Sequence, residues 1–314
     1  MFVSPIGKRI VRIVIGRDVL SDAECLKLGY STLEVIGPDS ASYLHGQLSQ
    51  DVEGMGPGDL ARSLLLAPTG KIIATCLIGR IGPEHFVLLM EQAALGAVEQ
   101  RLKKYLIRTK AQLNVIDADV YLANRKPLDT LFGVSFVDKY SGSNRYIYLL
   151  KSEPPEMVVG DRESHLRRTL EIERVRSNFP AFISELSLEL FPGALGESLD
   201  GFVSFQKGCY VGQELVERMR SKSTPAPILL KVVNVELSDA VNLSELIERN
   251  VKVDLYHKDL PVGEITSFAV DETGFAVAIA AVKRSSAGSN IFDLVLSDGT
   301  GDRNVVGRAT KGAN

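Results

Sequence analysis

The run from Lys207 to Glu214 constrains the fold more than any other stretch of this sequence. It reads Lys-Gly-Cys-Tyr-Val-Gly-Gln-Glu and places a cysteine between two glycines. Gly208 and Gly212 allow backbone angles that other residues disfavour, and they let a ligand approach the main chain closely. The apolar residues that follow share one helical face, and they are Leu215, Val216 and Met219. The sequence therefore predicts a glycine-shaped loop that leads into a short amphipathic helix.

Cys209 is the candidate reactive residue of this loop, and Lys207 is the candidate that assists it. A thiol at this position would lie near the positive end of the helix dipole and two residues from a lysine, and both effects favour the thiolate. Most lone cysteines are instead small, buried apolar residues. The residues alone leave the two alternatives open. On another face of the helix, Glu214 and Arg218 have the i,i+4 spacing of an ion pair.

The same eight residues resemble the signature of the YgfZ family, Lys-Gly-Cys-Tyr-x-Gly-Gln-Glu. Members of that family are folate-binding proteins tied to the maintenance of iron–sulfur enzymes. Their fold is similar to that of the aminomethyltransferase of the glycine cleavage system. The resemblance implies a tetrahydrofolate or one-carbon derivative as cofactor, and a functional cysteine at position 209.

Other stretches carry this resemblance too. Residues 37–52 are similar to the run that opens the family's domain, and its last part places Asp51 at the pocket. Within residues 170–173, Glu173 takes by position the role of the acidic residue that binds the pterin ring. A carboxylate suits this role because a pterin presents an edge with two donors. Tyr30 stands where the family places a stacking aromatic ring. The resemblance thus implies a folate-binding set of Tyr30, Asp51, Glu173, Gly208, Tyr210, Gly212, Gln213 and Glu214.

Two positions of this predicted pocket have alternatives. The alternative role of Glu173 is a salt bridge to Arg168 or Arg176, which lie in the same charged segment. Some relatives carry a second aromatic residue six positions before the glutamate, and Arg167 stands there in this sequence. Its planar guanidinium can also stack on a ring.

Three functions follow from the resemblance. The main prediction is a tetrahydrofolate-binding protein with a functional cysteine that supports iron–sulfur cluster assembly or repair, and thereby tRNA modification. Its partners would be iron–sulfur proteins or cluster assembly factors. One alternative is a non-catalytic folate-binding scaffold in which Cys209 is structural. The other is a folate-dependent aminomethyltransferase.

Residues 70–75 separate the last alternative from the first two. Similar aminomethyltransferases place two aspartates after a Gly-Gly-Ile/Val-Ile turn, where this sequence has Ala74 and Thr75. An alanine can neither move a proton nor stabilise a developing cation. The sequence therefore predicts that the transfer chemistry is absent.

Charge and cysteine content bound the remaining classes. The net charge of −3 and a pI near 5.9 argue against direct nucleic-acid binding, which normally needs a basic surface. The three cysteines have no CxxC spacing, and the four histidines are scattered. This pattern predicts a reducing compartment, with neither a disulfide framework nor a metal site.

No apolar run reaches the roughly 20 residues that a membrane span needs. The N-terminal segment has no apolar core followed by a cleavage site of the secretory type, and residues 10–15 are predicted to form a strand. We therefore expect a cytoplasmic protein with no membrane partner.

The order of predicted elements gives an α+β fold with antiparallel sheets, helices and a small C-terminal β-barrel. Residues 1–222 are expected to form the folate-binding region, with two interleaved subdomains. A short strand is predicted over residues 202–205, just before the signature loop. Residues 226–314 contain six short β-branched segments about 10 to 15 residues apart, and this spacing is typical of an antiparallel barrel.

Overall fold

The computed structural model describes residues 25–123, 135–138, 145–150, 160–221, 225–238, 251–271, 273–297 and 303–312. The strand predicted over residues 10–15 lies outside this part of the chain. Among the described helices, none is both long enough and apolar enough to cross a membrane.

The first nine strands form two antiparallel sheets. In chain order they are β1 (Cys25–Leu28), β2 (Tyr30–Ile36), β3 (Leu60–Leu66), β4 (Ile72–Gly82), β5 (His85–Glu91), β6 (Gln112–Ile116), β7 (Asp119–Ala123), β8 (Ser135–Asp138) and β9 (Arg145–Leu150). The larger sheet has the order β3-β4-β5-β2-β6, and the smaller one has the order β1-β7-β9-β8.

Strand β5, in the middle of the larger sheet, is buried on both faces. Val87 and Leu89 of β5 pack against residues of the smaller sheet, whereas Phe86 and Leu88 face a separate core on the other side. Successive side chains of a strand point to opposite faces, so a strand covered on both sides needs a continuous apolar run. This explains the Phe-Val-Leu-Leu-Met sequence of β5.

The described residues contain four α-helices. They are α1 (Ser40–Gln47), α2 (Leu95–Lys103), α3 (Asp161–Arg176) and α4 (Gln213–Arg220). Helices α1 and α2 cover the outer face of the larger sheet, to which α2 contributes Val98 and Leu102. The outer half of α4 is exposed, and Val216 and Met219 are its buried residues, which agrees with the predicted amphipathic stripe.

The last six strands close into an antiparallel barrel. They are β10 (Ile228–Leu237), β11 (Val253–His257), β12 (Leu260–Val270), β13 (Ala276–Lys283), β14 (Ile291–Ser297) and β15 (Arg303–Lys311), in the order β10-β13-β12-β11-β14-β15. Gly263 of β12 approaches the backbone of β13 so closely that a Cβ there would collide with the carbonyl of Ala281. The predicted fold class, α+β with a C-terminal barrel, is confirmed.

The barrel shares a core with the rest of the chain. Val277 and Ile279 of β13 pack in one cluster with Val175 of α3 and with Leu190 and Leu199 of the segment that follows it. This shared core holds the barrel strand β12 next to α3. The domain boundaries at residues 222 and 226 stay predictions.

Candidate functional site

A cavity of about 480 Å³ lies at the meeting point of the two sheets, α3 and the barrel. Its apolar wall includes Leu77, Leu122 and Ile147, one from each of β4, β7 and β9. Four arginines and three glutamates also line it, namely Arg62, Glu91, Arg145, Arg167, Glu171, Glu173 and Arg174. A cavity of this size with an apolar wall and a few charged groups has the character of a small-molecule site.

Glu173 lies in this cavity and is held by an arginine from a distant strand. Its two carboxylate oxygens accept hydrogen bonds of 2.6 and 2.7 Å from the two terminal nitrogens of Arg145. The side chains of Arg145 and Glu173 are 5% and 15% exposed, so the pair is nearly buried. The ion pair predicted as an alternative thus forms with β9 and not with Arg168 or Arg176. A pairing between distant segments has no local sequence signal.

Tyr30 also lines the cavity, as the resemblance predicts. It opens β2, and the antiparallel register places it directly opposite Glu91, the last residue of β5. Arg167, which stands where relatives have an aromatic residue, is a further lining residue. Its guanidinium is fixed by Glu163 at 2.8 Å and by the carbonyl of Lys27 at 3.0 Å.

Glu185 is a buried carboxylate at the edge of the cavity, and it joins the α+β region to the barrel. One oxygen accepts 2.6 Å hydrogen bonds from the hydroxyls of Thr266 and Ser267 of β12. The other accepts from the backbone N–H of Ala181 at 2.8 Å and from Arg174 at 3.2 Å. Burial raises the pKa of Glu185, but Arg174 and these hydroxyl donors outweigh it and hold the pKa below its ordinary value.

Glu91 is the cavity carboxyl with the opposite shift. Burial raises the pKa of Glu91 above its ordinary value, against the N–H of Phe182 and the charge of Arg174. Two neighbouring carboxylates, Glu185 and Glu171, shift the pKa in the same direction as burial. The pKa of Glu91 in the cavity lining and that of Glu185 at its edge are therefore shifted in opposite directions.

The signature loop at residues 207–214 lies outside the lining of this cavity. Lys207 is turned inward, where its ammonium donates to the carbonyl of His45, to that of Leu48 at 2.7 Å and to that of Gln50 at 3.0 Å. These carbonyls lie at the end of α1, where a cation is favoured. Burial lowers the pKa of Lys207 to about 8, against the influence of Asp51 and Glu53.

Three other signature residues shape the loop. The phenol of Tyr210 is buried, and burial raises its pKa above the ordinary value. The side-chain oxygen of Gln213 accepts from the backbone N–H of Tyr210 at 3.2 Å. Gly212 has a φ of +85°, and a Cβ there would lie 2.9 Å from Leu66. Only glycine satisfies both conditions, because the left-handed backbone and the contact with β3 each exclude a side chain.

The exposed part of the loop contains Gly208, Cys209 and Glu214. Cys209 is a free, exposed thiol. Glu214 makes the predicted i,i+4 pair with Arg218 at 3.4 Å. The position of Gly208 is close to the Nε2 atom of His45, which a Cβ would approach to 3.4 Å.

Asp51 belongs to this second location and not to the cavity lining. Its carboxylate lies 3.4 Å from the Nδ1 atom of His45. Burial, followed by the charge of Lys207, lowers the pKa of His45, against Glu53 and Asp51. Within the described residues, no group of three or more His, Cys, Asp and Glu side chains is placed to hold a metal ion.

A short chain of contacts joins the loop to the cavity. The carbonyl of Gln50 accepts from Lys207, and the side-chain amide of Gln50 donates to the carbonyl of Arg62 at 3.2 Å. The guanidinium of Arg62 then lies 5.1 Å from the ring centre of Phe179, and both residues line the cavity. The predicted site residues therefore fall into two linked places: a cavity with Tyr30 and Glu173, and a surface loop with Cys209.

No protein-family model matches the chain, but individual known proteins are similar to it. It is 25% identical to the tRNA-modifying protein YgfZ of Buchnera aphidicola over 285 residues, which cover 83% of this chain and 87% of that protein. It is 21% identical to the tRNA-modifying protein YgfZ of Colwellia psychrerythraea, with 71% and 74% covered. The chain is a YgfZ relative.

Another match is an uncharacterized protein of Haemophilus influenzae, which is 28% identical over 195 residues. The aligned part covers 61% of this YgfZ relative and 66% of the Haemophilus protein, just under two thirds of its length. Among solved structures, aminomethyltransferase T of the glycine cleavage system from Bartonella henselae superposes with a TM-score of 0.63. That match has 12% identity and covers 94% of this chain and 88% of that one, so it shows a shared fold.

The structure also locates the two positions that differ from the aminomethyltransferase pattern. Ala74 and Thr75 lie on β4 and are buried. The hydroxyl of Thr75 donates to the carbonyl of Pro180 at 3.4 Å, beside the cavity residues Phe179 and Ala181. In this YgfZ relative, the side chain at position 75 therefore faces the segment that forms one wall of the cavity.

Proposed function

We propose that this YgfZ relative binds tetrahydrofolate, or a one-carbon derivative of it, in the cavity between the sheets, α3 and the barrel. The observation that carries the proposal is the meeting of Tyr30 and Glu173. These residues are 143 positions apart in the sequence, which follows from 173 minus 30, yet both line one cavity. Each had been assigned to the pterin by the family resemblance alone.

The chemistry of the cavity fits a folate. The carboxylate of Glu173 matches the two-donor edge of a pterin, because its oxygens retain lone pairs beyond those that Arg145 uses. The apolar wall suits the flat ring system, and Tyr30 provides a ring for stacking. The glutamate tail of a folate carries carboxylates, which arginines such as Arg62 and Arg167 bind well through their planar fork of donors.

We further propose that Cys209 is the functional thiol of the protein and that Lys207 supports its loop. The exposure of Cys209 supports this role, since a reactive thiol must be accessible. By analogy with relatives that are named tRNA-modifying proteins, the protein would support iron–sulfur cluster assembly or repair and thereby tRNA modification. Iron–sulfur proteins or cluster assembly factors would be the partners, and the cytoplasm the compartment.

Calorimetry with tetrahydrofolate in anaerobic buffer tests the binding site. Glu173→Gln keeps the size of the side chain and one acceptor oxygen but removes the charge. We expect binding to weaken by about tenfold to hundredfold, because a hydrogen bond to a charged group contributes about 1.5–3 kcal/mol. Asp161→Asn, on the exposed first turn of the same helix, should bind like the wild type.

Two results would count against the site. Equal affinity of folded Glu173→Gln and wild-type protein would remove Glu173 from it. No saturable binding by the wild type would overturn the folate proposal as a whole. Circular dichroism of each variant must first show the wild-type spectrum, since Arg145 loses its charged partner.

The role of the thiol is tested in cells that lack the protein. Activities of several iron–sulfur enzymes are compared after complementation with wild-type protein and with Cys209→Ser. The functional-thiol proposal expects restored activities only with the wild type. Full restoration by Cys209→Ser, with unchanged folate binding, would favour the non-catalytic scaffold.

A further inference from the structure

Glu91 occupies a distinctive place in the cavity that neither the sequence nor the family resemblance assigns to it. It ends β5 directly opposite Tyr30 on β2. One carboxyl oxygen accepts the backbone N–H of Phe182 at 2.9 Å, which fixes the side chain at the cavity wall. Within the described part of the chain, no hydrogen-bond donor reaches its second oxygen.

Position 75 on the neighbouring strand is close to Glu91. Strands β4 and β5 are antiparallel, and Leu77 pairs with Leu89 at the end of their pairing. Thr75 and Glu91 each lie two residues beyond this pair, on the same side of it. Both side chains reach the same short segment, since Thr75 donates to the carbonyl of Pro180 and Glu91 accepts from Phe182. The aminomethyltransferase pattern has two aspartates where Ala74 and Thr75 stand in this sequence. Glu91 thus brings a carboxyl group, from the adjacent strand, to a region that lacks both aspartates.

The charged groups around Glu91 do not compensate the negative charge that its ionised form would carry. Arg174 is the cation that faces it, but Glu171 already binds this guanidinium at 2.6 and 2.8 Å. The carbonyl of Phe179 at 2.7 Å and Glu185 at 3.2 Å take a third nitrogen. Glu185 and Glu171 themselves add negative charge near Glu91. A partly buried carboxyl favours its neutral form when it lies beside two carboxylates and faces an arginine that already pairs with both of them.

A carboxyl group changes its hydrogen-bonding role when it is protonated. As a carboxylate it only accepts, whereas the neutral acid also donates one hydrogen bond. A pterin carries hydrogen-bond donors and also acceptors, and its ring carbonyl oxygen is one of the acceptors. A cavity that holds one acceptor carboxylate and one donor carboxyl can therefore match both kinds of group on the same ring.

We propose that Glu91 is a ligand-binding residue that carries a proton in the complex and donates a hydrogen bond to an acceptor atom of the pterin, while Glu173 accepts from the donor edge. This inference rests on the proposed function, since it concerns the same ligand and cavity. It assigns Glu91 a role beyond the structural hydrogen bond that it accepts from the N–H of Phe182. The two carboxyl groups divide the recognition of the ring between them.

The pH dependence of binding tests this division. Tetrahydrofolate affinity of the full chain is measured by calorimetry from acidic to neutral and mildly alkaline pH. Wild-type affinity should fall as the pH rises through the pKa of Glu91, because the donating proton is then lost. Arg174 and Glu185 keep their charges over this range, because the pKa of Arg174 is raised and that of Glu185 is lowered.

Two substitutions separate the proposed donor role of Glu91 from its structural hydrogen bond with Phe182. Glu91→Gln keeps an oxygen for the N–H of Phe182 and has an amide that donates at every pH. It should bind within about threefold of the acidic wild-type affinity, without the pH dependence. Glu91→Ala, which loses the donor, should bind about tenfold more weakly at acidic pH, the cost of one hydrogen bond of about 1.5 kcal/mol. Carboxyl ¹³C NMR of the ligand-free wild type, compared with Glu91→Gln, should show a carboxyl that titrates above the ordinary glutamate range.

The outcomes distinguish this inference from the proposed function. A wild type that binds tetrahydrofolate with the same pH profile as Glu91→Gln would overturn the role of Glu91 and leave folate binding in place. So would a Glu91→Gln variant that binds as weakly as Glu91→Ala while Glu173→Gln behaves as expected. A wild type that binds no folate at any pH would overturn both proposals.

Discussion

The buried carboxylate of Glu185 accepts a 2.6 Å hydrogen bond from the hydroxyl of Ser267, and this contact joins the segment after α3 to the barrel strand β12. Ser267 also lines the cavity. Through Arg174, the same carboxylate is connected to Glu171, which lines the cavity. The barrel therefore contributes a lining residue to the cavity. Glu185 connects strand β12 to helix α3 through its hydrogen bonds to Ser267 and Arg174.

Replacing Glu185 should destabilise the whole protein. In Glu185→Gln the partly buried Arg174 loses one of its two carboxylate partners. Breaking a buried ion pair typically costs about 3 kcal/mol or more. We expect a lower midpoint of urea denaturation, followed by circular dichroism because the chain has no tryptophan. Arg176→Gln, which removes a longer and more exposed pair with Asp271, serves as the control and should change stability by less than about 1 kcal/mol. A midpoint for Glu185→Gln equal to that of Arg176→Gln would contradict the structural role.

Glu185 should also contribute to the acid sensitivity of the fold. Its pKa is lower in the folded protein than in the unfolded chain, so the unfolded chain binds its proton first as the pH falls. The stability that the ionised carboxylate provides is therefore present above the unfolded-state pKa and is lost on acidification through the folded-state pKa. Stability measured against pH should fall less steeply in acid for Glu185→Gln than for the wild type. Parallel curves would show that other carboxyl groups dominate.

Lys207 should anchor the signature loop. Its ammonium donates to three backbone carbonyls near the end of α1, and leaving buried carbonyls without donors costs about 1–3 kcal/mol. Lys207→Met keeps the aliphatic stem but loses these contacts, so we expect a lower thermal midpoint together with altered alkylation kinetics of Cys209. An unchanged midpoint with slower alkylation would show that Lys207 acts on the thiol alone.

Cys209 should react far ahead of the other two cysteines. Cys25 and Cys76 are each 2% exposed, whereas Cys209 is exposed. Burial also raises the pKa of Cys76 to about 12, which removes its thiolate at neutral pH. Limited alkylation of the native protein at neutral pH, followed by peptide mass spectrometry, should label Cys209 alone. Labelling of all three thiols after denaturation is the control, and early labelling of Cys25 or Cys76 would contradict the structure.

The barrel and most strands could be predicted because their signals are local. The six short segments predicted within residues 226–314 are the six barrel strands. Residues 202–205, by contrast, were predicted as a strand and form none. The apolar alternation there comes from packing, since Phe202 is buried in the core and Phe205 packs against it.

The charged lining of the cavity could be predicted only in part. Glu173 and Tyr30 were identified through a family resemblance, whereas Arg145 and Glu185 were not identified at all. Their partners are 28 and 82 positions away in the sequence, and no pattern of neighbouring residues marks such contacts. The end of α2 likewise has a backbone cause: the helix ends at Lys103, and Arg108 has a φ of +63° that a continuing helix does not allow.

The last prediction separates folate binding from aminomethyl transfer. That reaction needs a group beside the reactive folate nitrogen that stabilises developing charge, and binding alone does not accelerate a step whose transition state gains no additional contact. Ala74 has no such group, and the hydroxyl of Thr75 is directed to the carbonyl of Pro180. We expect the protein to bind tetrahydrofolate but to release no ammonia when an aminomethylated lipoyl carrier is supplied. An authentic aminomethyltransferase with the same substrates is the positive control, and ammonia and methylene-tetrahydrofolate are the measured products. Turnover in the range of about 1–1000 per second would restore the aminomethyltransferase alternative, and its loss in Glu91→Gln would then assign the missing acid–base role to Glu91.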